Sequence, residues 1–133
     1  MIAKLKATPG EHPGHSDGPS ADALVVLCAC PDEVTADRIA RELVTTQLAA
    51  CVNRLPGVRS IYRWEGVLQD EPEVLLTIKT TKSRYEELEM RLKALHPYEV
   101  PEIIALPVLA GAAPYLAWLA GETRPVAATQ DSP

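Results

Sequence analysis

The sequence predicts an α+β domain, a ferredoxin-like split βαβ sandwich with an extra C-terminal helix. Three observations point there. Extended apolar stretches recur along the chain at Ala23–Cys30, Ala50–Trp64, Glu73–Thr80 and Ile103–Val108. Helical periodicity fills the gaps after the first and the third of them. The second and third are linked through a hairpin turn, which makes them antiparallel neighbours.

Ala23-Leu24-Val25-Val26-Leu27-Cys28-Ala29-Cys30 is continuously apolar, the pattern of a central strand shielded on both faces. Pro31-Asp32-Glu33 puts proline and acids where a first helical turn prefers them. Ala36, Ile39, Ala40, Leu43 and Val44 then recur at three and four, with Arg38, Arg41 and Glu42 turned outward, and make an amphipathic helix. Ala50-Cys51-Val52-Asn53 restarts extended structure, and Pro56-Gly57 marks a bulge or bend before Val58 to Trp64. Glu65-Gly66 is a two-residue hairpin turn.

Glu73-Val74-Leu75-Leu76-Thr77-Ile78-Lys79-Thr80 is the third strand. Ser83-Arg84-Tyr85-Glu86 has the form of a capping box, and Tyr85, Leu88, Leu92 and Leu95 continue one helical face. Pro97 and Pro101 bracket a rigid loop, because each pushes its predecessor out of the helical region. Ile103–Val108 is the fourth strand, and Pro107 places its end at an edge or bends it away. Pro114 to Leu119 forms a short terminal helix.

The domain is expected to span residues 22–122. Residues 1–21 hold His12-Pro13-Gly14-His15 and Ser16-Asp17-Gly18-Pro19-Ser20, too polar and turn-rich to offset the entropy of ordering, so they read as a disordered arm. His12 and His15 are a weak metal-binding pair at best and more simply solvated arm residues. Residues 123–133 lack periodicity and read as a loose tail.

Composition removes several classes of function. The 133 residues carry 13 basic and 18 acidic side chains, a net charge of −5 without a clustered basic face, which argues against nucleic-acid binding. No run approaches the ~20 apolar residues of a membrane span, so no membrane partner is expected. Residues 1–20 contain no apolar core of a secretory signal. Three cysteines are an odd number, and reduced thiols in a cytoplasmic location are the expectation. Phe is absent, so aliphatic side chains must build the core.

Both main helices are expected on one face of the sheet. The first and third strands are apolar on both faces, so the open face needs cover, and other copies of the same chain are the candidate.

Cys28 and Cys30 point to the same side of the first strand, roughly 6.6 Å apart along it, close enough for a soft ion such as copper(I). They equally suit the role of small apolar core residues. Cys51 reads as structural. His96 ends the second helix and admits two readings: a cap interacting with the last carbonyls, or a site residue on the rigid Pro97-Tyr98-Glu99-Val100-Pro101-Glu102 loop. Tyr62 and Trp64 share one strand face, with Arg59 and Arg63 on the other, a pattern commoner at interfaces than in catalytic pockets. Lys79 is a solvated strand terminus or an anion-binding charge at a cleft. No nucleophile–base motif, Gly-rich phosphate loop or pair of metal-ligand clusters occurs, so no catalytic residue is assigned and no enzyme is expected.

The segments Leu48-Ala49-Ala50-Cys51-Val52-Asn53, Pro56-Gly57-Val58, Ser60-Ile61-Tyr62-Arg63-Trp64-Glu65-Gly66, Ile78-Lys79-Thr80-Thr81 and His96-Pro97-Tyr98-Glu99-Val100-Pro101-Glu102-Ile103 resemble the CutA family of divalent-cation tolerance proteins. All blocks stand in order between about Ala23 and Trp118. The resemblance implies a ferredoxin-like fold, a tight homotrimer of PII-like architecture and a role in tolerance to copper and other divalent metal ions. It also implies a cysteine ending the first strand and a histidine before Pro-Tyr as metal ligands, here Cys28 and His96. Some bacterial members carry a second histidine just before that one. Leu95 stands there in this chain, which removes a possible ligand, and Cys30 is this chain's own candidate substitute, with a softer preference. The rival reading is a trimeric scaffold or signalling module. In it Tyr62, Trp64, Lys79, Tyr98 and Glu99 line inter-subunit clefts for a small anionic ligand or a protein partner.

Overall fold

The computed structural model describes residues 22–125. The expected arm at 1–21, with His12 and His15, lies outside the described residues, as do residues 126–133 of the expected tail. The elements run β1 (Ala23–Cys30), α1 (Glu33–Thr45), β2 (Cys51–Trp64), β3 (Val67–Thr81), α2 (Lys82–Leu95), β4 (Ile104–Pro107) and α3 (Ala113–Glu122). The sheet order is β2-β3-β1-β4 and every neighbouring pair is antiparallel, the expected split βαβ arrangement.

Side-chain alternation sorts β1 into two faces. Val26, Cys28 and Cys30 lie opposite Ile78, Leu76 and Val74 of β3, and these six pack with Ile39 and Leu43 of α1 and Leu88 and Leu92 of α2. Both main helices thus cover one face. Each fully buried Leu or Ile there contributes roughly 1.5–3 kcal/mol over its exposed state.

The start of α1 is fixed by Asp32, whose side chain accepts the Thr35 N–H at 2.8 Å. Val44 does not join the buried stripe. It is 41% exposed, because the sheet is already covered by Ile39, Ala40 and Leu43. The expected capping box at Ser83 does not form either. β3 runs straight into α2, Thr81 occupies the cap position without a side-chain cap bond, and Ser83 lies inside the helix with its hydroxyl 3.3 Å from that of Thr81. Thr81 is held by its pairing with Ala23, which leaves no free turn for Ser83 to cap.

β3 begins at Val67 rather than at Glu73. Gln69-Asp70-Glu71-Pro72 has no apolar pattern, yet β2 supplies a ladder partner for every residue of it, and Arg59 Nε donates to Asp70 Oδ1 at 2.8 Å. β1 pairs only with Val74–Thr81. The stretch from Val58 to Glu73 therefore projects past the sheet as a two-stranded arm. Its tip is the expected hairpin turn, with Glu65 at φ 49 and Gly66 at φ 81, the two positive angles of a type I′ turn. The register shift at the arm's base lies between Leu55 and Val58, where Gly57 takes φ 82.

β4 is shorter than expected, four residues, and Pro107 does sit on an edge strand. The open face of the sheet is not left wholly to other molecules. Leu116 and Leu119 of α3 bury themselves with Ala23 and Ala50 at one end of it, while Leu55, Ile104 and Leu106 remain 40–50% exposed. Thr123, expected in the loose tail, belongs to the folded body: it is 1% exposed and its hydroxyl donates to the Leu119 carbonyl at 2.9 Å.

Candidate metal centre

β1 ends beside the C-terminus of α2, and that junction brings Cys28, Cys30 and His96 together. One ligand atom from each lies within 4.8 Å of the other two. Both cysteines are 0% exposed and His96 is 6% exposed. The strand dictates the thiol pair, because residues two apart share a face. The helix dictates the imidazole: the His96 N–H still bonds the Leu92 carbonyl at 2.9 Å, and its extended backbone then turns the chain back over β1.

The ring is held at both nitrogens. Nε2 donates to the Ala29 carbonyl at 2.7 Å, and Nδ1 accepts the Tyr98 N–H at 3.2 Å. The Tyr98 ring lies tilted against it with centroids 4.7 Å apart. His96 is therefore the C-cap residue of α2 and, through its ring, a part of the thiol cluster.

The thiols divide their charge unequally. Cys30 is pulled down, chiefly by the Cys28 thiol beside it and further by His96, against burial. Cys28 is pushed up by Cys30 beside it and by burial. Burial works to lower His96, but the neighbouring Cys30 and the bond to the Ala29 carbonyl outweigh it and leave the ring raised. Two sulfurs and an imidazole suit a soft ion. Binding has to displace the thiol protons and one of the two backbone partners of the ring.

The aromatic residues lie on the other side of β1. Ala29 faces away from the cysteines into a cavity of about 640 Å³ that Tyr62, Trp64, Glu73, Tyr98 and Glu99 also line. Tyr98 donates its hydroxyl to Glu73 Oε2 at 2.7 Å, and burial together with this carboxylate pushes the phenol up. Of the expected cleft residues, Tyr62, Trp64, Tyr98 and Glu99 gather here. Lys79 does not. It stands six positions beyond Glu73 on β3, ~20 Å along the strand, where it donates to Asn53 Oδ1. The charged residues lining the cavity within one chain are all glutamates, which do not favour an anionic ligand there. Glu73 was not foreseen. Its signal was an acid opening an otherwise apolar strand, on the same side as Leu75.

The model of the CutA1 divalent ion tolerance protein family matches residues 24–122. The divalent-cation tolerance protein CutA of Pectobacterium atrosepticum is 48% identical over 109 residues, 82% of this chain and 99% of that protein. The structure of a divalent cation tolerance protein from Thermus thermophilus superposes with a TM-score of 0.75 at 50% identity, covering 77% of this chain and 99% of that one. A CutA from Archaeoglobus fulgidus, described as a periplasmic divalent cation tolerance protein, is similar with a TM-score of 0.74 at 31% identity, over 77% of this chain and 99% of that one.

Proposed function

This chain belongs to the CutA1 divalent ion tolerance protein family, and from that premise we propose that its molecular activity is to bind a soft metal ion, copper first, at Cys28, Cys30 and His96. The observation that carries the proposal is the convergence of three buried donor groups within 4.8 Å. Thiolate-rich sites select copper(I), and the missing second histidine at Leu95 shifts the balance away from copper(II). The ion would supply positive charge against both thiolates, and the chain's contribution is to hold the donors dry and close. The proposed role is sequestration without catalysis. Competition titration of the reduced protein with copper(I), beside Cys28→Ala/His96→Ala, tests it: equal affinity in both sinks the assignment.

We further propose a homotrimer in the cytoplasm. Val67 and Leu68 at the arm tip are 58% and 73% exposed, and with Leu55, Ile104 and Leu106 they form apolar surface that a copy of the chain would cover. Light scattering at the mass of one chain would refute the trimer. Cytoplasmic placement is supported by three free thiols, which a reducing compartment preserves. Among the described residues no helix is long and apolar enough to cross a membrane. Cell fractionation that finds the protein in the periplasm, where the Archaeoglobus relative is described, would overturn that placement.

The rival reading, a trimeric scaffold or signalling module that binds a ligand or protein partner, is favoured by one observation, the aromatic cavity beneath Tyr98. A ligand screen in the presence of chelator tests it, and the absence of any metal-independent stabilisation would count against it.

A further inference from the structure

The cavity on the far side of β1 from the thiols has a composition of its own. Its rings are Tyr62, Trp64 and Tyr98, and its charged groups are Glu73, Glu99 and Glu102, with no basic side chain among the described residues that line it. Glu73 is 7% exposed and accepts one hydrogen bond, from Tyr98, and among the described residues it forms no ion pair. A buried carboxylate without a cation is costly, and a site facing it gains by supplying one. Aromatic faces attract the same sign of charge and also cover apolar carbon.

We infer that this cavity binds an organic cation, specifically an aliphatic amine carrying two or more ammonium groups. One ammonium sits at Glu73, a second at Glu99 or Glu102, and the methylene chain between them lies along Trp64 and Tyr62. A hydrated metal ion would use the carboxylates but leave the rings without a role. The thiols of the metal centre point into the core on the opposite face of β1, and the two sites share only the joint at Tyr98, whose N–H bonds His96 while its hydroxyl bonds Glu73.

The test is calorimetric titration of the native protein with 1,4-diaminobutane in chelator-containing buffer, with 1,4-butanediol as the neutral isostere and magnesium as the inorganic cation. The diamine should bind saturably and the diol should not. Glu73→Gln, which keeps the shape and the Tyr98 bond, should weaken the diamine at least tenfold, and Trp64→Leu should weaken it several-fold without affecting magnesium. Cys28→Ala/Cys30→Ala should leave diamine binding unchanged, which separates this site from the metal centre. Absence of saturable binding would overturn the inference. So would magnesium displacing the diamine at equal concentration, or full affinity in Trp64→Leu. If Glu73→Gln does not fold, Glu99→Gln/Glu102→Gln gives the same decision, with unchanged affinity as the overturning result.

Discussion

His96 and Ala29 are joined across 67 residues of sequence by a 2.7 Å hydrogen bond from Nε2 to the backbone carbonyl. Ala29 lies between Cys28 and Cys30, so this one bond holds the imidazole against the thiol pair and ties the loop after α2 to the end of β1. His96→Ala should cost about 1–3 kcal/mol in urea unfolding, because it leaves the Ala29 carbonyl and the Tyr98 N–H without partners. His96→Gln, with both a donor and an acceptor, should recover part of that stability and none of the metal affinity. Equal stability of wild type and His96→Ala would show that the bond contributes nothing.

Cys30 separates this chain's proposed chemistry from a two-ligand site. Cys30→Ala should reduce copper(I) affinity by at least the ~10–100-fold that the loss of a mere supporting residue costs a metal site. An unchanged competition curve would return Cys30 to the core as a packing residue.

The N-cap of α1 gives the fold an acid dependence. The Asp32 carboxyl is held below its ordinary value, first by the backbone N–H of Thr35. A carboxyl depressed in the folded state contributes stability above its unfolded value and loses it as pH falls through the folded one. Asn caps equally well without titrating. The melting temperature of Asp32→Asn should therefore fall less than that of the wild type as the pH is lowered through the carboxylate range. Parallel curves would exclude the cap as a contributor.

The arm is only two strands wide, so its turn matters more than most. Gly66 at φ 81 is in the left-handed region, and Gly66→Ala should cost roughly 1–2 kcal/mol. Glu65 at φ 49 carries the same strain, and Glu65→Asn should raise the melting temperature, since Asn tolerates that region. No change on either substitution would mean that the arm is held from outside its own turn.

Strand order, both main helices and the hairpin were legible in the sequence because periodicity and turn chemistry are local. Ala36, Ile39 and Leu43 mark α1, and Glu65-Gly66 marks its turn without help from the rest of the chain. The errors lie where a distant partner decides. Gln69–Pro72 is strand only because β2 lies beside it, and Ser83 caps nothing because Thr81 is already paired with Ala23. The thiols and His96 were visible as candidates, since the spacing of Cys28 and Cys30 fixes their common face. Lys79 stands apart from the cavity, which sequence does not show, because it gives the face of a strand residue but not its neighbours along the sheet. Glu73 was missed for the same reason, its partner Tyr98 being 25 residues away.

The central claim is that Cys28, Cys30 and His96 form a soft-metal site, and titration of the reduced, chelator-stripped protein with copper(I) against a competing chelator tests it most directly. The account predicts tight binding by the wild type that is abolished in Cys28→Ala/His96→Ala. Weak binding, or equal binding in both proteins, would contradict it and leave the cluster as a buried structural joint between β1 and α2.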